Sequence, residues 1–367
     1  MKRLESLDAL RGFDMFFIMG GSSLLMAIAQ LFPESGGWQT VAEQMRHVPW
    51  EGLHLYDTVF PLFLFIAGVS FPFSLARQRE NGRSMWLICL NIVRRGLLLV
   101  LLGMIYNGLL DFHFDTVRFC SVLGRIGLAW MCAALIYCAV RNIRAIVGII
   151  AVILIGYWLF IAFVPSPGAD GADPFSKEGC IACWLDVKML GAHSFRPEYD
   201  PEGLVSTIPA IATALMGILS GVWIKQEGEG MTGGRKAAVL AVAGIIMAVA
   251  GFAWNFLFPI NKALWSSSFV CAVGGYSLIM LAVFYYFIDV LGCHGWDRFF
   301  VVIGMNSITI YMVNRFVPMS TIAERLFGGC VGLFSETFQP VMSAIAFILV
   351  AWLFLYFLYR HKVFLKV

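Results

Sequence analysis

Charge is what this sequence lacks. Only 13% of its 367 residues are Asp, Glu, Lys or Arg, beside 60% hydrophobic residues, whereas a water-soluble chain carries about 25% charged residues. With a mean hydropathy of +0.80, the polar groups cannot cover the apolar surface in water. A soluble globular protein is excluded, and lipid must be the solvent. The net charge of +3 is too small for the electrostatic footprint of a nucleic-acid binder, so no nucleic acid is expected as a partner. A small-residue cleavage site is missing as well. MKRLESLDALRG runs straight into an apolar stretch, and no cleaved signal peptide is expected. No internal repeat of the kind that marks many secondary transporters is visible, and no composition shift divides the chain. Residues 1–367 therefore read as a single membrane domain.

What is present is a series of apolar runs. A helix needs about 20 such residues to cross the hydrocarbon, and ten runs qualify: 10–31, 57–76, 85–107, 118–140, 143–164, 204–225, 236–258, 266–289, 298–316 and 340–360. The expected fold class is all-α, a polytopic helical bundle of about ten transmembrane helices. Residues 321–333 are too short and glycine-rich to span, and read as an interfacial or re-entrant helix. Lys and Arg set the orientation. Seventeen of the 26, among them Lys2, Arg3, Arg77, Arg79, Arg141 and Lys366, fall on the N-terminal side of the membrane. Both termini are thus expected in the cytoplasm, with residues 45–57 and the 165–203 loop outside. That loop, rich in Gly, Pro and Asp, reads as a compact lid. Of nine cysteines, Cys89, Cys132, Cys138 and Cys271 sit in apolar runs and are expected to pack. Cys180 and Cys183 form a lone C-x-x-C in the loop, without the second ligand pair of a zinc site. A disulfide or two free thiols are the alternatives, and no metal is expected.

Chemistry-bearing residues concentrate in residues 45–61, MRHVPWEGLHLYDTVFP. Two histidines (His47, His54), Glu51, Asp57, Trp50 and Tyr56 precede an apolar run directly. Ionisable groups at the mouth of a membrane helix are costly to desolvate, so they face a cavity or a partner. Imidazole titrates near neutrality and suits a general base, and a carboxylate on its other ring nitrogen would fix the tautomer. Asp57 is the expected orienter. A solvated loop histidine is the plainer reading of His47, and a metal site from both histidines and Asp57 has no standard spacing.

Other polar groups are scattered. Asp8 and Arg11 can pair at i, i+3, or Arg11 and the helix start can hold an anion. Asp14, one turn inside an apolar helix, should face a cavity or a basic partner. Arg94 and Arg95, placed near a cytoplasmic helix end, either snorkel to head groups or bind donor phosphates. Arg125, about two turns into the fourth span, is expected to pair with a carboxylate, Asp14 and Asp57 being candidates. Asp200 and Glu202 are expected to cap the sixth span, with Pro201 in its first turn. Asn261 and Asn306 bring amides into apolar surroundings, Asn306 within the ninth span, where it needs partners.

Six blocks in fixed order resemble the heparan-α-glucosaminide N-acetyltransferase family and its bacterial relatives. They are RLxSLDxxRG at 3–12, HxxWxGLxxxDxVFP at 47–61, VLxRxG at 122–127, YDPEG at 199–203, NKxLW at 261–265 and GMNSI at 304–308. Helix 1 departs from the pattern, with GGSS at Gly20–Ser23 where a polar asparagine is expected in the animal enzymes. The resemblance implies a transmembrane acyltransferase, with His47 as its histidine and Asp57 as the accompanying aspartate. Acetyl would pass from cytosolic acetyl-CoA to the amine of a glucosamine-type sugar on the outer side. A bacterial inner membrane is the expected location, with lipid, acetyl-CoA, an amino-sugar acceptor and a second copy of the chain as expected partners. Arg94, Arg95, Arg11 and Asn306 are the donor-binding candidates. Asp14, Trp50, Glu51, Arg125, Asp200, Glu202 and Asn261 are candidates for acceptor contacts or structural polar roles. Direct transfer and an acetyl-histidine intermediate both remain open. A transporter or permease for amino sugars is the alternative class, and the missing repeats count against it.

Overall fold

The structure is a computed structural model that describes residues 4–169 and 171–365. Lys2, Arg3 and Lys366, counted in the charge bias, lie outside the described residues. No strand occurs among the described residues; the regular elements are helices. They run α1 (Glu5–Gln30), α2 (Gly36–Gln44), α3 (Leu55–Glu80), α4 (Met85–Tyr106), α5 (Val122–Ala139), α6 (Ile143–Phe163) and α7 (Ile181–Leu190). After the long loop come α8 (Thr207–Lys225), α9 (Gly233–Trp254), α10 (Ser267–Val290), α11 (Asp297–Met305), α12 (Ser307–Phe316), α13 (Met319–Val331) and α14 (Gln339–Arg360). Nine helices are long and apolar enough to cross a bilayer among the described residues. α11 and α12, meeting at a 67° bend, give a tenth if they form one broken span. The protein is a multi-pass, all-α integral membrane bundle.

The spans lie where the apolar runs lie, and they differ mainly at their ends. The fourth begins at Val122 rather than 118, because the Ser121 hydroxyl accepts the Gly124 N–H at 2.9 Å and starts the helix there. Residues 321–333 fall largely within the 13-residue α13. By its contacts the chain divides into two compact units. Of the described residues, the first holds 4–48, 54–59 and 280–365, and the second holds 49–53, 60–169 and 171–279.

In lipid the tails are as apolar as the side chains, so helices associate through close packing and small residues. The first unit uses this where α1 meets α11. A Cβ on Gly12 would lie 1.8 Å from the Phe300 carbonyl oxygen, and one on Gly304 would lie 1.9 Å from that of Asp8. Gly12 closes the block at 3–12 and Gly304 opens the block at 304–308, and here their work is packing. Farther along, α1 is interrupted by a π-turn at Phe17–Gly21, where Gly20 takes φ +129°. The Ser22 hydroxyl donates to the Phe17 carbonyl at 3.0 Å. In the second unit, α3 lies against α8 through Gly217 and Gly221, a G-x-x-x-G pair whose Cβ atoms would fall 2.1 and 2.3 Å from the carbonyl oxygens of Phe65 and Val69.

Substituting Gly304 with Val should therefore force backbone apart and cost roughly 1–3 kcal/mol or more. Gly156, whose Cβ would meet nothing within 4 Å, provides the control. Thermal unfolding of the detergent-solubilised protein is expected to show a lowered Tm for Gly304→Val and little change for Gly156→Val.

Candidate active site

The segment between α2 and α3 is short and tied at both ends. The side-chain oxygen of Gln44, the last residue of α2, accepts the Leu55 N–H at 2.9 Å, and His54 Nδ1 lies 3.0 Å from the Arg46 carbonyl. Between these ties, Asp57 sits in the 3-10 turn Leu55–Thr58 and is fully buried. Its Oδ1 lies 2.7 Å from His47 Nδ1. Its Oδ2 accepts the backbone N–H groups of Val48 (3.3 Å) and His54 (3.2 Å). A carboxylate that only accepts fixes the proton on His47 Nδ1, leaving the Nε2 lone pair for chemistry. The His47 side chain is 54% exposed, and its ring lies 4.7 Å from that of Tyr56. A half-exposed imidazole oriented by a buried acid can take a proton, or attack an acyl carbon.

His54 does not join them as a ligand. Its Nδ1 is engaged with the Arg46 carbonyl, so the two histidines and Asp57 do not form a metal set. The residues whose ligand atoms lie within 4.8 Å of one another, among those described, are Glu5, His294 and Asp297.

The middle of the motif belongs to the second unit and does structural work there. Trp50 donates its indole N–H to the Phe175 carbonyl at 2.9 Å and stands edge-on to Tyr199 at 5.1 Å, which pins the 165–203 loop. Glu51 is exposed. Gly52, at φ +115°, donates to the Ile260 carbonyl at 2.8 Å.

Several expected roles change in the structure. Asp200 and Glu202 do not cap the sixth span, because α8 starts only at Thr207. Both instead pair with Arg118, whose Nε donates to Asp200 Oδ2 at 3.0 Å. The acid at that helix start is Asp186 of α7, which accepts the Val205 N–H at 3.0 Å. Gly203 leaves room for it, since a Cβ there would fall 1.8 Å from Asp186 Oδ2. Burial pushes the Asp186 carboxyl up to about 6, and the Val205 hydrogen bond offsets only part of that. Sequence reading missed both Arg118 and Asp186. The available signal was an arginine just ahead of a capped helix, with two acids in the only long polar loop.

Arg125 has no carboxylate partner among the described residues, contrary to the expected ion pair with Asp14 or Asp57. Its guanidinium donates to the Ser206 hydroxyl and to the Gly203 carbonyl (3.3 Å), and lies 4.9 Å from the centroid of the Trp265 ring. Both hydrogen bonds come from Nη2, while Nε and Nη1 are buried without a hydrogen-bond partner among the described residues. Arg94 and Arg95 stand near the middle of α4, about 15 Å from its start at 1.5 Å per residue, not at a helix end. Arg95 lies over Trp130 at 4.6 Å, while Arg94 is exposed. Arg11 pairs with Asp8 at 3.5 Å.

Asn306 falls at the break between α11 and α12 rather than inside a helix. It is buried, and its Nδ2 has no hydrogen-bond partner among the described residues. The same holds for Asp14 Oδ2 on α1. Asn261 builds a turn, its Oδ1 accepting the Leu264 N–H at 3.0 Å. Cys180 and Cys183 are separate, buried thiols.

With this geometry in hand, comparisons place the chain among known sequences. Residues 3–114 match a family described as a domain of unknown function, DUF5009. Heparan-alpha-glucosaminide N-acetyltransferase of Homo sapiens is 27% identical over 420 residues, and that of Mus musculus is 27% identical over 426. Each alignment covers all of this chain and 60% of the relative. The chain resembles these acetyltransferases from end to end. It spans about 60% of the length of the curated relatives it matches.

Because Asp186 is raised from an ordinary value near 4 to about 6, its ionisation opposes folding. The sign follows from linkage: its stabilising share is complete below about pH 4 and is lost as pH rises through about 6. Tm measured from pH 7 down to pH 5 should therefore rise more in the wild type than in Asp186→Asn. Equal slopes would remove Asp186 as the titrating group.

Proposed function

We propose that this protein is a transmembrane acyltransferase, moving an acetyl group from cytosolic acetyl-CoA to the amine of a glucosamine-type sugar on the outer face of the membrane. The observation that carries the reading is the 2.7 Å contact between His47 Nδ1 and the buried Asp57, on a tied loop at the mouth of a span. Similarity to acetyltransferases along the whole chain supplies the reaction class.

In this reading His47 Nε2 takes a proton from the acceptor amine as its nitrogen attacks the thioester carbonyl. The new C–N bond forms, the C–S bond breaks, and the CoA sulfur leaves, taking up the proton held by the imidazolium. Asp57 keeps the tautomer correct and stabilises the imidazolium while it exists. A phosphate-rich donor needs cations or helix termini, and Arg11, near the start of α1, is proposed for that role on the cytoplasmic side. The unpartnered Asn306 amide is a further donor-side candidate. Both termini are assigned to the cytoplasm on the Lys and Arg bias, and a bacterial inner membrane is the proposed location.

His47→Ala should fold and bind acetyl-CoA yet lose ~10²–10⁴ in transfer rate, the usual cost of losing a general base. Asp57→Asn should be impaired, and His54→Ala should retain most activity. A folded His47→Ala protein transferring at the wild-type rate would sink the mechanism. Labelled acetyl-CoA given without acceptor should leave no label on the protein, whereas label on His47 would make it a nucleophile rather than a base.

Sidedness has its own test. A cysteine placed in the 165–203 loop should react with an impermeant reagent from outside, and one placed in residues 226–234 should not. The reverse pattern would overturn the direction of transfer.

A further inference from the structure

A cavity of about 870 Å³ opens within the first unit, among α1, α2, α13 and α14. Its hydrogen-bonding lining includes Ser23, Gln30, Gln39, Arg46, Glu324 and Gln339, and the remaining wall is mostly alanine, glycine and serine. Gln39 and Gln339 donate to backbone carbonyls, but lipid tails would leave Ser23, Gln30, Arg46 and Glu324 unsatisfied, so water or a polar ligand must fill the space. The backbone agrees. Gly20, the left-handed residue of the π-turn that breaks α1, lines the same cavity, and irregular backbone at membrane depth is tolerated where it borders a cavity or is buried in protein.

Charge narrows the ligand. One arginine and one glutamate are the only charged residues in the lining. Four or so phosphate charges would find a single cation there, so the nucleotide end of acetyl-CoA is a poor fit. A polyhydroxylated ring carrying an ammonium fits better: amides and serines meet the hydroxyls, and a carboxylate meets the cation. The volume lies in the range of small-molecule sites, about 300–1,000 Å³. Glu324 is exposed and makes no ion pair or side-chain hydrogen bond among the described residues.

The cavity is also coupled to the catalytic loop. Arg46, on its lining, directly precedes His47. Gln39 Nε2 donates to the Ala29 and Phe32 carbonyls at 3.4 Å each, fixing α2 to the end of α1, and the Arg46 carbonyl meets His54 Nδ1. One wall of the cavity and the loop bearing His47 are therefore a single tied piece.

We propose that this cavity receives the amino-sugar acceptor, and that Glu324 is the specificity residue that selects an acceptor bearing an ammonium group. The assignment rests on the acyltransferase reading above. Glu324 binds the ammonium on entry; one proton leaves to water through the open cavity before attack, and the neutral amine gives its remaining excess proton to His47.

The full-length protein in nanodiscs tests this with the β-1,4 disaccharide of glucosamine as probe, its N-acetylated form as comparison, and acetyl-CoA omitted. The wild type should bind the amine form at least tenfold more tightly. Glu324→Gln should erase that preference and raise the acceptor KM about tenfold with kcat little changed. Ser343→Trp, which fills the cavity from α14, should abolish disaccharide binding. Acetyl-CoA binding should persist in both variants, which also reports folding. His47→Ala should bind the disaccharide normally. Acetyl transfer to the disaccharide with wild-type KM in Glu324→Gln and Ser343→Trp would overturn the cavity assignment and leave the acyltransferase reading standing. Absence of transfer by the wild type, with disaccharide binding still lost in Ser343→Trp, would overturn the reaction and keep the cavity as a sugar site. No disaccharide binding by the wild type would overturn the cavity assignment.

Discussion

A buried carboxylate holding a half-exposed imidazole is the constraint on which the rest depends. Asp57 has no exposure to water, so each oxygen must be occupied from within. His47 Nδ1 takes one, and the N–H groups of Val48 and His54 take the other. Those three contacts draw residues 47–57 into one fold of chain and decide where the reactive nitrogen is presented. The Gln44–Leu55 and His54–Arg46 hydrogen bonds close the same loop from outside. The geometry of the His47–Asp57 pair is thus set by local backbone.

The same demand, that polar groups in a low-dielectric solvent find partners, explains how the second unit treats its charges. Arg125 Nη2 reaches a carbonyl and a hydroxyl, and its guanidinium lies over the face of Trp265, while Arg118 gathers two acids. Asp186 is spent on a helix start. These arrangements shape the loop of residues 165–203, together with Trp50 anchoring it through the Phe175 carbonyl.

The spans were legible because hydrophobic length is a one-dimensional property. The broken helix was not. Residues 298–316 satisfy the length rule, and only the Gly304–Asn306–Ser307 cluster hinted at the 67° bend. The pairing of His47 with Asp57 was readable from chemistry, ten residues apart on one loop. Arg118 and Asp200, 82 residues apart, were not, because nothing in a single sequence ranks one distant carboxylate above another. Arg125 shows the subtler limit. Its burial was evident from its place in a helix, but a π-face and a carbonyl carry no sequence signal as counter-ions, so a carboxylate was expected by default. Asp200 and Glu202 failed for a geometric reason: the helix they were to cap begins five residues after Glu202.

What remains unsatisfied is as informative as what is paired. Asp14 Oδ2 and Asn306 Nδ2 are buried without partners among the described residues, one on α1 and the other at the end of α11. These two helices touch through Gly12 and Gly304 with no room for a methyl group. Close packing of that kind makes the pair rigid, so neither orphan can rotate away to relieve itself by a backbone shift. An acceptor oxygen and an amide donor fixed in this way each cost about 1–3 kcal/mol unless water or a ligand meets them. Close packing at Gly12 and Gly304 thus holds both polar groups at fixed positions within the first unit.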